Sequence, residues 1–203
     1  RFFEWDIAQV NWVKEHIHLL GIKEQKIVTY FLKIFNSFES DYSGLRKSIV
    51  HNDANDNNVL VTDSIEFPSV KSLIDFGDAI HTQIINDLAI SCAYGIMHYD
   101  DPLEAALPIV SGYHKAFPLK EEELPFLYIC IALRLVISVT KSVINKKAEP
   151  GNEYLLISEK PAWEVLHKWK EVNAEYAHYS FRNACNFPTH PKQSDFEYWA
   201  KNH

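Results

Sequence analysis

The stretch HNDANDNNVL, residues 51–60, joins a run of Asn and Asp side chains to a short apolar segment. We call residues 51–58 the polar loop. So many oxygen-bearing side chains in one loop have three possible explanations: a calcium loop, a surface turn, or the catalytic loop of a phosphotransferase. The rest of the sequence has to decide between them.

A calcium loop fits the polar loop only in part. Asp53, Asn55 and Asn57 occupy its first, third and fifth positions, but Asn58 stands where the motif has Gly, and Ser64 where it has a bidentate Glu. A surface turn is a stronger explanation, because Asn and Asp tolerate left-handed backbone conformations and bond their own backbone. Taken alone, the loop favours the turn.

A second motif makes the phosphotransferase explanation stronger than the surface turn. IDFG, residues 74–77, follows the polar loop by about one strand hairpin. Protein kinases carry an Asp in a loop of the form His-x-Asp-x-x-x-x-Asn and a metal-binding Asp in Asp-Phe-Gly. His51, Asp53 and Asn58 have the spacing of the first motif, and Asp75 begins the second. The ordered pair favours phosphoryl transfer.

The chemistry of phosphoryl transfer explains these residue types. Hard oxygen ligands hold Mg²⁺ against nucleotide phosphates, and Asn58 and Asp75 can supply them. Asp53 then orients the attacking hydroxyl or accepts its proton. A long activation segment with an Ala-Pro-Glu anchor, which protein kinases place after Asp-Phe-Gly, is absent from the sequence. We therefore expect a small-molecule acceptor.

Hydrophobic spacing predicts an α+β fold that is mostly α. Short β-branched runs predict strands at residues 48–50, 59–61 and 72–76. Helical spacing predicts helices at residues 5–20, 27–38, 84–97, 102–114, 121–145 and 162–182. The apolar run 124–139 is interrupted by Arg134 and is too short for a bilayer, so we expect a buried helix there. EPGNEYL, residues 149–155, is a turn signal.

Composition predicts a soluble cytoplasmic protein. The chain has 203 residues, is 47% hydrophobic and has a net charge of −7, which argues against nucleic-acid binding. The three scattered cysteines are expected to be reduced core thiols, and no signal peptide or membrane segment is predicted. The first residue is not Met, so we expect a piece of a longer chain.

Three segments resemble a known superfamily. HNDANDNNVL, LIDFGDA and NDLAISCAYG are similar to the catalytic core of the aminoglycoside phosphotransferase and choline kinase superfamily, whose usual motifs are His-Gly-Asp-x-x-x-x-Asn and Ile-Asp-Phe/Trp-Gly-Asp/Glu. DPLEAALPIVSGYH and LRLVISV more closely resemble its hydroxylysine kinase and homoserine-kinase-like branch. That branch includes kinase domains fused to class III aminotransferases, and NACNFPTHP would lead toward such a partner.

The resemblance implies the helical C-terminal lobe of a protein-kinase-like fold, with a small β hairpin carrying the catalytic and metal loops. Residues 1–185 would form this lobe, and residues 186–203 the domain end or a linker. Asp53 would be the catalytic base, Asn58 and Asp75 the magnesium ligands, and Asp87 a structural carboxylate that steadies the polar loop. Asn52 replaces the usual Gly of the family, which makes the local backbone geometry a question for the structure.

Four further residues receive supporting roles. His51 is expected to brace the backbone, and Asn55 stands where the family often has His. Asp78 either contacts metal or a substrate amine, or is a solvated or capping carboxylate before the helix predicted at Ile84. Arg134 is expected to form a buried ion pair with a loop carboxylate such as Asp87 or Asp101, with a role in the pocket as the alternative.

A nucleotide-gripping lobe is missing from this sequence. Its six glycines are scattered, at positions 21, 44, 77, 95, 112 and 151, and no Val-Ala-x-Lys strand precedes the first helix. We expect the fragment alone to be inactive and to need that lobe in cis. The predicted function is Mg²⁺-dependent transfer of a γ-phosphate from ATP or GTP to a small amino alcohol or hydroxylated amino acid. The alternative is a non-catalytic binding or scaffolding module attached to an aminotransferase.

Overall fold

The computed structural model describes residues 2–149, 159–190 and 192–202. Short 3₁₀ segments lie at Ile7–Glu15, Ile17–Leu19, Phe76–Asp78 and Glu121–Glu123. The strands are β1 (Lys47–Val50), β2 (Val59–Val61), β3 (Val70–Leu73) and β4 (Ile80–Gln83). The helices are α1 (Ile22–Ser37), α2 (Glu39–Ser43), α3 (Ile85–Gly95), α4 (Pro102–Ala116), α5 (Leu124–Ala148), α6 (Glu159–Glu171), α7 (Ala174–Ala184) and α8 (Gln193–Asn202). The mostly helical α+β class is confirmed.

Helix α5 forms the centre of the helical core and packs against α1, α3, α6 and α7. With the 3₁₀ turn before it, α5 is long and apolar enough to cross a membrane, but most of this apolar stretch is buried inside the protein. The helix begins and ends three residues later than the predicted 121–145, and the predicted burial of its apolar run 124–139 is confirmed. Trp169 of α6 is fully buried and stacks on Tyr128 of α5, with ring centroids 5.3 Å apart.

Two helix predictions need correction. Residues 7–15 form a 3₁₀ segment and not an α-helix, and the buried residues Ile7, Val10 and Val13 repeat every three positions, which matches three residues per turn. Residues 162–182 form two helices, because the Asn173 side chain caps α7 by accepting a hydrogen bond from the Tyr176 N–H at 2.9 Å.

The polar loop lies between two antiparallel ribbons. Strand β1 pairs with β4, and β2 pairs with β3. The polar loop joins β1 to β2, and residues 74–79 join β3 to β4, so both motif segments cross from one ribbon to the other. The strands predicted at 48–50 and 59–61 are confirmed, whereas the third is Val70–Leu73 and ends before the predicted 76.

Strand β4 was not predicted, because its buried residues are polar. Thr82 and Gln83 are each 2% exposed. The Thr82 hydroxyl donates to Asp6 Oδ1 at 2.9 Å, and the Gln83 amide donates to the Tyr42 backbone carbonyl at 3.4 Å. Hydrogen bonding thus replaces the apolar alternation that identifies a half-buried strand in a sequence.

The three cysteines agree with the expected core thiols. Cys92, Cys130 and Cys185 are all free and buried, and burial raises the pKa of the Cys185 thiol to about 11. The turn predicted at 149–155 lies outside the described residues, apart from Glu149. Helix α8 lies within the segment predicted as domain end or linker, and that boundary stays a prediction.

Candidate active site

His51 braces the polar loop against the segment that carries Asp75. Its Nε2 lies 2.9 Å from the Ile74 backbone oxygen, and its Nδ1 accepts a hydrogen bond from the Asp53 N–H at 3.3 Å. The second bond requires the tautomer in which Nε2 carries the proton and donates to Ile74. The ring also packs on Phe76, with centroids 4.7 Å apart. His51 therefore ties together the two segments that carry the predicted base and metal ligands.

Asn58 connects the same two segments from the other end of the loop. Its side-chain amide donates to the Asp53 backbone oxygen and to Asp53 Oδ2, each at 2.9 Å. Its backbone oxygen accepts from the Ile74 N–H at 3.0 Å, which sets Asn58 beside the residue that precedes Asp75. Because Asn58 contacts Asp53 through its amide nitrogen, its amide oxygen is not used in that contact and can serve as a ligand.

Asn55 has the conformational role that a turn residue would have. Its Oδ1 accepts from the Asn57 N–H at 2.9 Å, and its backbone oxygen accepts from the Asn58 N–H at 3.0 Å. The turn explanation thus accounts for this position. The flanks of the polar loop are strands β1 and β2 and not helices, which does not match a helix–loop–helix calcium site.

Asp75 and Asp78 bring two more carboxylates to the predicted base. Asp75 has a left-handed backbone, with φ 60° and ψ 71°, and its Oδ1 accepts from the Gly77 N–H at 3.3 Å. The pKa of Asp78 is raised, first by burial and then by the negative charge of Asp53, while Arg134 acts in the opposite direction. Asp75 adds a smaller upward effect on the same pKa, so Asp53 and Asp75 each lie within electrostatic reach of Asp78.

The residues Asn58 and Asp75 fit a magnesium ion. Their carboxamide and carboxylate oxygens are hard donors, and Mg²⁺ commonly takes one or two protein ligands and completes its shell with phosphate oxygens and water. In the described part of the chain, no cluster of three or more His, Cys, Asp or Glu could hold a metal. A metal at this position would therefore depend on the nucleotide phosphates as well as on the protein.

Asn52, which replaces the usual Gly of the family, takes the backbone conformation that favours glycine. It has a left-handed backbone, with φ 64°, which Asn adopts more readily than other residues with a Cβ. The side chain is fully buried, and neither of its polar atoms has a hydrogen-bond partner. The loop thus keeps a conformation suited to Gly, at a cost in buried polar groups.

Asp87 lies beneath the polar loop and outside the cleft that contains Asp53. Burial raises its pKa, and the backbone N–H groups of Asn52 and His51 partly offset this rise. Asp87 lines a separate depression with Tyr113 and Phe117. This position suits the predicted support of the loop and leaves Asp87 without access to an acceptor in the cleft.

Arg134 forms the predicted ion pair with a loop carboxylate, but the partner is Asp53 and not Asp87 or Asp101, the two examples predicted. Its Nη2 lies 2.7 Å from Asp53 Oδ1, and the pair is almost fully buried on the arginine side. Asp101 instead caps α4 by accepting from the N–H groups of Leu103 and Glu104. The lone charge in an apolar helix was the available signal, but the sequence does not show which carboxylate faces it.

A cleft of about 350 Å³ opens beside Asp53. Its residues belong to the N-terminal segment, the polar loop, the segment 74–79, α3 and the residues that follow it, α5 and α6. Three of them are carboxylates, at Asp53, Asp56 and Asp78, and one is the cation Arg134. Trp5, Tyr94, Met97 and His98 supply aromatic and apolar surface. This volume is in the range of small-molecule sites, and the carboxylates favour a ligand with positive charge.

Comparison with known proteins supports a phosphotransferase. Residues 22–119 match the phosphotransferase enzyme family, a range that contains both motif segments. The hydroxylysine kinase of Xenopus laevis is 28% identical over 182 residues, which cover 85% of this chain and 49% of the relative. That of Danio rerio is 28% identical over 190 residues, covering 91% and 54%. No solved structure shows a significant match.

These matches support a place in the aminoglycoside phosphotransferase and choline kinase-like superfamily. The chain spans about half the length of the curated relatives that it matches.

Proposed function

We propose that this chain is the acceptor-binding and metal-binding half of a kinase that phosphorylates a small amino alcohol or a hydroxylated amino acid. The observation that most supports this proposal is the position of Asp53. Its two carboxylate oxygens are held by Arg134 and Asn58 at the edge of the cleft, next to the segment that begins with Asp75. The name of the relatives, hydroxylysine kinase, supports an acceptor with both a hydroxyl and an amine.

In the proposed reaction, the acceptor hydroxyl oxygen bonds to the γ-phosphorus of ATP or GTP. The bond from that phosphorus to the β,γ-bridging oxygen breaks, and the nucleoside diphosphate leaves with its electron pair. The hydroxyl proton passes to a carboxylate oxygen of Asp53 and then to solvent. Asn58 and Asp75 would hold Mg²⁺, which neutralises charge on the phosphate oxygens.

Acceptor binding would use the carboxylates of the cleft. Asp56 and Asp78 reach the same space as Asp53 and can pair with an ammonium group. Asp78 is half-buried, and an acceptor ammonium beside it would lower the raised pKa of its carboxyl group. Of the two alternative roles predicted for Asp78, a solvated carboxylate or a helix cap, the cap is not supported, because strand β4 and not a helix comes next.

The nucleotide-binding lobe would contact the β2–β3 ribbon. Apolar side chains are exposed on this ribbon and its flanks: Leu60, Val61, Ile65, Phe67, Val70, Leu73, Ile74 and Phe76. Ile65 is 96% exposed and Phe67 is 79% exposed. Soluble proteins rarely leave such a patch uncovered. The patch adjoins Asp75, so a lobe that covered it would also deliver the nucleotide phosphates to the metal ligands.

The test uses the full-length protein that contains this chain. Transfer of labelled γ-phosphate from ATP or GTP is measured with hydroxylysine, homoserine, choline and ethanolamine as acceptors. In the Asp53→Asn variant we expect kcat for the accepted compound to fall by about 10²–10⁴-fold, the usual contribution of a general base. Asp41→Asn, an exposed aspartate on α2, serves as the control and should keep full activity.

Other results would change the assignment. Undiminished transfer by Asp53→Asn would remove Asp53 from the reaction. A folded full-length protein that binds no nucleotide would favour the alternative, a non-catalytic module attached to another enzyme such as an aminotransferase.

A further inference from the structure

Arg134 is buried in the helical core, where several residues bind its guanidinium group. The residue is 1% exposed although it carries a full charge. Its Nη2 donates to Asp53 Oδ1 at 2.7 Å and to the Tyr94 hydroxyl at 3.2 Å, and its Nη1 donates to the Trp5 backbone oxygen at 3.3 Å. These contacts come from the polar loop, from α3 and from the N-terminal segment, so three parts of the fold fix one guanidinium.

Two aromatic rings add to this restraint. The guanidinium carbon lies 4.6 Å from the centre of the Trp5 ring and 5.4 Å from that of Tyr94. A planar guanidinium packs well on aromatic faces and keeps its donors in a rigid fork, which an ammonium group cannot do. The contacts leave Arg134 little freedom to move away from Asp53.

Both oxygens of Asp53 are therefore held by different partners. Arg134 holds Oδ1, and the Asn58 amide holds Oδ2. A carboxylate held at both oxygens cannot rotate about its Cβ–Cγ bond without losing both hydrogen bonds. Each oxygen still has a second lone pair, and the orientation of the group decides where those lone pairs point.

A purely structural ion pair explains Arg134 less well. Burying a charged pair gives little net stability, since desolvation offsets the attraction between the charges. In addition, the Arg134 Nε is buried and has no hydrogen-bond partner. The fold also contains a second buried arginine, Arg182, which pairs with the exposed Glu121 and packs on Phe187. Neither partner lines the cleft beside Asp53, so Arg182 serves as the comparison for a structural arginine.

We propose that Arg134 is a positioning residue for the phosphoryl transfer. It orients the Asp53 carboxylate so that a free lone pair faces the acceptor hydroxyl in the cleft. The proposal rests on the proposed function, since it assigns Arg134 a part in the same reaction. Arg134 acts through Asp53 and is not required to contact the acceptor.

The test compares Arg134→Met with Arg182→Met in the full-length protein. Both changes replace a buried, ring-packed arginine by an apolar side chain, and both leave a partly exposed carboxylate, at Asp53 or Glu121. We expect Arg134→Met to lower kcat by about 100-fold, the effect of misplacing a reacting group by about 1 Å. The acceptor KM should stay within about threefold, and Arg134→Lys should recover part of kcat because it restores the charge without the fork.

A structural role would give a different pattern. Full kcat in Arg134→Met, or an equal loss in Arg182→Met, would overturn the proposal. If the wild-type protein transfers no phosphate, the proposed function fails. The contact between Arg134 and Asp53 is then tested by the thermal unfolding of Arg134→Met, Asp53→Asn and the double variant. Additive losses in Tm would then overturn the positioning contact, and a smaller loss in the double variant would support it.

Discussion

The side-chain amide of Asn58 donates two hydrogen bonds to Asp53, one to its backbone oxygen and one to Oδ2, each of 2.9 Å. The predicted metal ligand therefore also orients the predicted base. Because the Asn58 backbone oxygen accepts from the Ile74 N–H, the same residue sets the distance to Asp75. The predicted base and the predicted metal ligands are therefore linked by hydrogen bonds, and substitutions among them are expected to be non-additive.

Substitution of Asp75 should act through the metal. Asp75 lies outside the polar loop, and its side chain accepts a hydrogen bond from the Gly77 N–H. We expect Asp75→Ala to raise the Mg²⁺ concentration for half-maximal activity of the full-length protein by at least about tenfold. The measurement is transfer rate against Mg²⁺ concentration, with Asp63→Ala in the β2–β3 turn as the control. An unchanged Mg²⁺ dependence would remove Asp75 from the metal site.

Substitution of Asn58 should affect both the metal and the base. In Asn58→Ala the Mg²⁺ requirement rises as in Asp75→Ala, and the Asp53 side chain also loses the partner of its Oδ2. We expect kcat at saturating Mg²⁺ to be lower than that of wild type by about 10²-fold, the effect expected for a misoriented reacting group. Recovery of wild-type kcat at high Mg²⁺ would show that the hydrogen bonds to Asp53 do not matter for the reaction.

Some elements of the polar loop and the helical core could be predicted from the sequence, and others could not. Strands β1 and β2 and the buried helix α5 follow directly from short β-branched runs and a long apolar run, so their positions were predictable. Strand β4 was not, because Thr82 is buried through its hydrogen bond to Asp6, a residue 76 positions away. The same limit explains Arg134: its burial was predictable from its neighbours, whereas its pairing with Asp53 depends on how α5 packs beneath the loop.

Asn52→Gly should stabilise the protein. Glycine adopts φ 64° without the steric cost of a Cβ, and the change removes two buried polar atoms that have no partner. The greater freedom of glycine in the unfolded chain offsets part of this gain. We expect a net increase of about 1 kcal/mol in the free energy of unfolding, measured by urea denaturation.

Asn52→Ala separates the two causes. It removes the buried amide but keeps a Cβ at a left-handed position, so we expect it to be less stable than Asn52→Gly by about 1 kcal/mol. A glycine variant less stable than wild type would mean that the Asn52 amide contributes to the fold.

The stability of the protein should depend on pH through Asp87. Its folded-state pKa is raised above the ordinary value of 3.8, with burial as the largest cause. A carboxyl group with a raised folded-state pKa stabilises the fold fully below its unfolded pKa, and this contribution is lost as the pH rises through the folded value. The contribution of Asp87 should therefore decrease over the range between 3.8 and the raised pKa.

Asp87→Asn isolates this contribution, because the amide does not titrate and its oxygen can still face the N–H groups of Asn52 and His51. We expect the free energy of unfolding of wild type, minus that of the variant, to fall as the pH rises from 4 to 8. Urea denaturation of both proteins across that range provides the measurement. A difference that stays constant with pH, or grows, would show that burial does not control this carboxyl group.

The 203-residue chain alone should show negligible kinase activity. Its six glycines are scattered, so it has no glycine-rich loop to hold nucleotide phosphates, and its β2–β3 ribbon exposes apolar side chains such as Ile65 and Phe67. We expect labelled γ-phosphate transfer by the fragment to remain at background under conditions in which the full-length protein is active. Ile65→Ser and Phe67→Ser in the full-length protein should weaken nucleotide binding if the ribbon contacts the nucleotide-binding lobe. Steady transfer by the fragment would show that the cleft beside Asp53 holds the nucleotide without that lobe.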